Sequence, residues 1–224
     1  MANRQFAVIG LGRFGTAVAS TLTELGHDVL AIDTNEQKIQ EISSKVTHAV
    51  QMDGTDEYAL KTLGIRNFDV VIVTIGENIQ QSIMITLLLK EAGVKYIICK
   101  AVTELHKKVL LKIGADRVVL PDKDMGVRVA HNLVSSNLLD FIELSPEYSI
   151  MEINAPKKWV GKTIKELDVR AKYGINIMAL KKDDDDININ PSPDDYIEDS
   201  NVIVCVGAND DLQRLEKYVL DDEK

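Results

Sequence analysis

The chain has 224 residues, with 26 Lys+Arg against 35 Asp+Glu and a formal charge of −9. That length suits one large or two modest domains, and a composition 45% hydrophobic and 27% charged excludes disordered, collagenous and disulfide-stapled chains. The acidic balance argues against nonspecific nucleic-acid binding, which needs a basic footprint.

In chain order, Gln5–Ile9, Val29–Ile32, His48–Val50, Val70–Val73, Tyr96–Cys99 and Val118–Leu120 read as six strands. They are β-branched, continuously apolar and separated by amphipathic stretches, the pattern of a parallel sheet covered on both faces. The expected class is α/β, a Rossmann-like doubly wound parallel sheet over residues 1–121. Pro121 and Asp122 then open a helix expected over Lys123–Leu139, a connector spanning 122–140 with Val127, Ala130, Leu133, Val134 and Leu138 on its apolar stripe. Residues 141–224 read as a smaller α+β domain. Its strands are Ser149–Ile153, Ile175–Leu180, Ile187–Ile189 and Val202–Val206, with short helices near Thr163–Leu167 and Asp210–Val219. The run Asp183–Asp186 lacks the bend glycine and distal Glu of a calcium loop, and reads as a solvated hairpin tip.

No apolar run approaches the roughly 18–20 residues of a membrane span. The opening Met-Ala-Asn-Arg-Gln-Phe does not read as a signal peptide, so a cytoplasmic chain is expected. Cys99 and Cys205 lie inside apolar strand-like runs, as buried free thiols do.

Gly10-Leu11-Gly12-Arg13-Phe14-Gly15 is a G-x-G-x-x-G loop. It follows the first strand, opens a helix placed at Thr16–Leu25, and is answered by Asp33 at the end of the second strand. Gly10 permits the tight turn, Gly12 the approach of backbone to phosphate, and Gly15 the close packing of helix on strand. The helix N-terminus offers free N–H groups to phosphate, and Asp33 offers acceptors to ribose hydroxyls. No Arg stands among Thr34, Asn35, Glu36 and Gln37, which argues against NADP. NAD, ADP and ATP share this half of the site. Arg13 suits extra phosphate charge, and equally reads as a solvated surface arginine. Asp53-Gly54-Thr55, Gly76-Glu77-Asn78 and Lys100 fall at carboxyl ends of strands, facing the same crevice or serving as turns and helix caps.

Catalysis finds little support. Of His27, His48, His106 and His131 only His106 falls near the crevice, and residues 141–224 contain no histidine. No nucleophile–base pair, metal cluster or Walker lysine is recognisable. A non-enzymatic nucleotide sensor is expected, with an NAD-dependent oxidoreductase or an NADH-responsive redox sensor as the alternatives.

Phe6–Gly15, Gly64-Ile-Arg-Asn-Phe-Asp69, Ile113-Gly-Ala-Asp116, Asp122-Lys-Asp-Met-Gly126 and Val169-Arg-Ala-Lys-Tyr-Gly-Ile-Asn176 resemble the cytosolic regulatory subunits of Ktr-type potassium transporters, members of the RCK (KTN) family. The resemblance covers essentially the whole chain. It implies an octameric ring of dimers docked beneath a membrane potassium channel subunit of the Ktr B/D type, with no nucleic-acid partner. It implies ATP and ADP in the N-terminal domain, held by Gly10, Gly12, Arg13, Phe14, Gly15, Asp33, Thr34, Asn35, Lys38, Asp53, Gly54, Thr55, Ile75, Gly76, Glu77, Asn78, Lys100, Ala101, His106 and Asp122. Arg13 would reach the terminal phosphates, and Asp122 falls where the family places a carboxylate for Mg²⁺ or Ca²⁺. In the C-terminal domain the resemblance implies a cyclic di-AMP site at Val169, Arg170, Ala171, Asn176, Ile177 and Pro191. Apolar groups there can sandwich adenine, Asn176 can read its edge and Arg170 can pair a phosphate.

Overall fold

The computed structural model describes residues 3–134, 138–145, 147–183 and 186–220, in two compact units, 1–123 and 124–224. In the first unit six strands form one parallel sheet: β1 (Gln5–Ile9), β2 (Asp28–Asp33), β3 (His48–Gln51), β4 (Val70–Val73), β5 (Ile97–Lys100) and β6 (Arg117–Val119). Their order, β3-β2-β1-β4-β5-β6, is the doubly wound one, and it reverses direction between β1 and β4. Helices α1 (Arg13–Glu24), α2 (Glu36–Ile42), α3 (Glu57–Thr62), α4 (Ile79–Glu91) and α5 (Glu104–Lys112) connect the strands.

Successive strand residues feed opposite cores, which explains why the runs are continuously apolar. Ala7, Ile9, Val71, Val73, Ile97 and Cys99 pack with Ile85, Leu89 and Leu110 on one face. Phe6, Val8, Val29, Ala31, Val70 and Ile72 pack with Ala19 and Ile42 on the other. A polar substitution at either set would enter an apolar core.

Two helix boundaries differ from expectation. Helix α1 starts at Arg13 rather than Thr16, because Gly12 is already the extended N-cap (φ −74°, ψ −179°) and its carbonyl accepts the Thr16 N–H at 2.9 Å. The connecting helix, expected to run to Leu139, is α6 (Pro121–Val134), and β7 (Leu138–Glu143) follows it. Leu138 pairs with Ile153, Phe141 with Met151 and Ile142 with Ile150, so β-ladder bonds claim this segment instead of a helical stripe.

The second unit carries an antiparallel sheet ordered β10-β9-β11-β8-β7. Its other strands are β8 (Tyr148–Asn154), β9 (Asn176–Asp183), β10 (Asp186–Asn188) and β11 (Val202–Ala208). Alternate residues Met151, Ile153, Ile203 and Cys205 face a core closed by Trp159, Leu212 and Leu215. Leu212 and Leu215 come from α9 (Asn209–Leu220). Short helices α7 (Ile164–Leu167) and α8 (Val169–Tyr173) complete it. Asp183 pairs with Asp186 across the β9–β10 hairpin, while Asp184 and Asp185 of the expected tip lie outside the described residues.

Both cysteines are free and buried. Burial pushes the Cys99 thiol up to about 11 and the Cys205 thiol up to about 12, so neither is a thiolate near neutral pH.

Candidate nucleotide-binding site

The glycine loop lies at the carboxyl end of β1, beside the strand-order reversal. Gly10 turns at φ +100° and donates its N–H to Ile32 O at 2.8 Å. A Cβ on Gly15 would collide with the Gly10 carbonyl and the Thr74 hydroxyl, so only glycine lets α1 sit this close. The buried Thr74 hydroxyl donates to the Gly10 carbonyl, with the Ile9 carbonyl 3.2 Å away. Thr74 was absent from the expected site residues. Its only signal in the sequence is its place directly after the β4 run.

Asp33 is largely buried, its side chain 10% exposed. One carboxylate oxygen accepts the Leu11 N–H at 2.6 Å and lies 3.5 Å from Lys38 Nζ. The other accepts the Asn35 N–H at 2.9 Å. Asp33 therefore anchors the glycine loop to the end of β2. A carboxylate has about four acceptor positions, which leaves capacity for a ribose hydroxyl.

The helix starts around the crevice divide sharply. Asn35, Asp56, Asn78 and Thr103 are N-caps whose side chains accept from the N–H groups of Lys38, Ala59, Gln81 and His106. Helix α1 has no side-chain cap, and around its N-cap Gly12 there is open space within 4 Å of an added Cβ. Its first turn has no side-chain acceptor of its own, the arrangement that suits a phosphate.

The remaining expected residues sort by what holds them. Asp53 makes an Asx turn, its carboxylate accepting from Thr55 N at 2.9 Å and Thr55 Oγ1 at 2.8 Å. Gly54 is a packing glycine, since a Cβ would come within 2.9 Å of Ile9 and Ile85. Asn78 caps α4. Lys100, at the end of β5, reaches the crevice: its ammonium lies 6.0 Å from the centre of the Phe14 ring and 3.0 Å from Asp122 Oδ2. Gly76 lies against the same side chain, with Lys100 Cε 3.7 Å from an added Cβ. Glu77 and Arg13 are exposed, Ala101 is buried, Ile75 packs on the core and Thr34 gives its carbonyl to Gln51.

His106 is 3% exposed. Its Nδ1 lies 3.5 Å from the Val102 N–H, and its Nε2 is buried without a hydrogen-bond partner. Burial lowers its pKa from 6.5, so the ring is neutral at pH 7. A neutral ring accepting at Nδ1 carries its proton on Nε2, an unspent donor.

The metal expectation meets a poor fit within one chain. Asp122 faces the Lys100 ammonium, and among the described residues no three His, Cys, Asp or Glu gather to hold an ion. Mg²⁺ or Ca²⁺ at Asp122 would need further oxygens, from phosphates or a second copy.

In the second unit Arg170 and Asn176 are brought together, Arg170 Nε donating to Asn176 Oδ1 at 2.8 Å. Val169, Arg170 and Ala171 lie on α8, which the sequence did not announce; Asp168 precedes it in a left-handed conformation (φ 47°). Val169 is core, Ile177 packs on the core and Ala171 is exposed. Pro191 is half-buried in the segment between β10 and β11.

A family model for the TrkA-N domain matches residues 6–121, and one for the TrkA-C domain matches residues 148–220. The chain is 50% identical over 217 residues to the Ktr system potassium uptake protein C of Bacillus subtilis (strain 168), covering 97% of this chain and 98% of that protein. It is also 50% identical over 214 residues to the Ktr system potassium uptake protein A of the same organism, covering 96% of each. The solved GsuK RCK domain shares the fold, with a TM-score of 0.68 at 18% identity, over 97% of this chain and 48% of that chain. Two domain matches in sequence and half-identity along nearly the full length place the chain in the TrkA-N/TrkA-C family, among the RCK regulatory subunits of Ktr potassium uptake.

Proposed function

We propose that this Ktr regulatory subunit senses ATP and ADP at the glycine loop of its first unit, carries out no chemistry of its own, and passes the ligand state to a membrane potassium transporter subunit. One observation carries the reading. Of the five helices α1–α5, only α1 begins without a side-chain cap, and it begins at an open glycine. Phosphates would take those amides, Asp33 the ribose, and the exposed Arg13 the added charge of a terminal phosphate or a neighbour's nucleotide. ATP and ADP would then stabilise different shapes of an octameric ring of dimers through that differential contact.

The Arg170–Asn176 pair supports cyclic di-AMP as a second ligand: a guanidinium for phosphate beside an amide for the adenine edge. Among the described residues no helix is long and apolar enough to cross a membrane, which fits a pore supplied by another chain.

Competitive binding of ATP, ADP, NADH and cyclic di-AMP to the purified chain, with its mass in solution, tests these readings together. ATP and ADP should bind more tightly than NADH and give distinct small-angle scattering profiles. Tight NADH binding with turnover of a small alcohol or acid would favour the oxidoreductase instead. Identical profiles with ATP and ADP bound would remove the gating mechanism.

A further inference from the structure

Lys100 stands between two claims on one positive charge. Its side chain is 16% exposed, rises from the end of β5, passes Gly76 and brings its ammonium near the Phe14 ring, on the loop that would hold the phosphates. The same ammonium pairs at 3.0 Å with Asp122, whose side chain is 81% exposed. Asp122 is the second residue of α6, and its neighbour Lys123 pairs with Glu104 of α5 at 2.5 Å. The first turn of α6 is thus tied to the end of β5 and to the start of α5 by two ion pairs of opposite polarity. The Asp122 strap is the weaker competitor. Its carboxylate is solvated and carries one charge, whereas a nucleotide phosphate carries more charge and sits where α1 supplies amides.

We infer that Lys100 is a shared cation, and that nucleotide phosphate and the Asp122 carboxylate compete for it, so that filling the crevice unstraps the first turn of α6. This rests on the nucleotide reading above and adds to it the route by which phosphate charge reaches a helix that leaves the first unit. Asp122 acts here as a positioning residue, through Lys100. Because the competition is between protein and ligand for one ammonium, removing either competitor must strengthen the other's hold.

The test uses the full chain in EDTA, so that no divalent cation bridges Asp122 to phosphate, with ATP and ADP as probes. Calorimetry compares wild type, Lys100→Met, Asp122→Asn and the double variant; hydrogen exchange follows the amides of 122–128. Asp122→Asn should bind both nucleotides about two- to five-fold more tightly, the range expected for releasing an exposed ion pair. Lys100→Met should bind them about ten-fold more weakly, and Asp122→Asn should add nothing in its background. Exchange at 122–128 should rise when wild type takes ATP, and should already be raised in ligand-free Asp122→Asn.

Unchanged or weaker binding by Asp122→Asn, in a protein whose wild type binds, overturns the competition and leaves the nucleotide reading standing. An equal gain from Asp122→Asn with and without Lys100 also overturns it. A wild-type chain that takes neither ATP nor ADP overturns both. Ligand-free Asp122→Asn separates structure from binding: wild-type exchange at 122–128 there shows that the strap holds nothing, and the inference fails on that ground alone.

Discussion

Gly12 and Gly15 are three residues apart in one loop, yet a methyl group meets opposite surroundings at each. At Gly15 it strikes the Gly10 carbonyl; at Gly12 it meets nothing within 4 Å, in a backbone conformation any residue adopts. Gly15→Ala should therefore cost about 2–3 kcal/mol in chemical denaturation and abolish nucleotide binding. Gly12→Ala should leave stability within about 0.5 kcal/mol while weakening ATP at least ten-fold in calorimetry, because on the proposed reading the methyl would occupy the phosphate's approach. Equal effects of the two in both assays would dismiss the division of labour. His106 gives a second prediction at this scale. Its folded pKa lies below 6.5, so the unfolded chain binds more protons as pH falls through that value. Stability therefore rises with pH across the window just under 6.5 and is lost below it. His106→Leu should flatten that part of the melting-temperature profile between pH 5 and 7. An unchanged slope would show that other groups set the acid sensitivity.

The elements of the first unit were legible because a doubly covered parallel strand leaves a plain signal: four or five apolar residues in a row, bounded by Gly, Asp or Asn. Less was legible where the signal depends on partners. Leu138 reads as the tail of a helical stripe until β8 is there to pair with it. Helix α8 is five residues long, too short to show a period, and enters through the left-handed Asp168. In the site, the glycine loop and Asp33 were readable from spacing. Thr74 and the Lys100–Asp122 pair were not, since each joins residues from separate strands or helices. Caps belong to the readable kind. Thr163 and Glu166 form a reciprocal capping box at α7, and the Thr163 N–H holds the Glu166 carboxyl below its ordinary 4.5. Thr163→Ala should cost about 1 kcal/mol in urea unfolding at pH 7. The Thr163 hydroxyl also bonds that carboxyl, and this share, which Ala removes, contributes only while Glu166 is ionised, so the difference from wild type should shrink as pH falls through the lowered pKa. A gap that persists at pH 3 would assign the loss to the bond between the Thr163 hydroxyl and the Glu166 N–H alone.

At the scale of the molecule the acidic charge is not evenly spread. Residues 1–123 hold 14 Lys+Arg and 14 Asp+Glu, so the whole −9 belongs to residues 124–224, with 12 against 21. Copies of the second unit therefore repel one another at long range, and in the proposed ring the repulsion would grow with every copy added. An apolar contact would offset that repulsion. Helix α6 exposes Met125, Val127, Val129 and Leu133, the last of them 80% exposed, a run of apolar side chains of the kind that association covers. Part of this was anticipated as an apolar stripe, though Met125 and Val129 widen it beyond a single helical face. Salt shortens the reach of the repulsion, from about 10 Å at 0.1 M towards about 3 Å at 1 M, and leaves apolar contact intact. Light scattering should therefore find the mass of the 24.9 kDa chain shifting towards the proposed octamer as salt rises from about 0.05 to 0.5 M, at fixed protein concentration. Leu133→Asp should hold it at smaller species throughout. Dissociation with rising salt would mean that ion pairs between copies, rather than apolar surface, hold the assembly together.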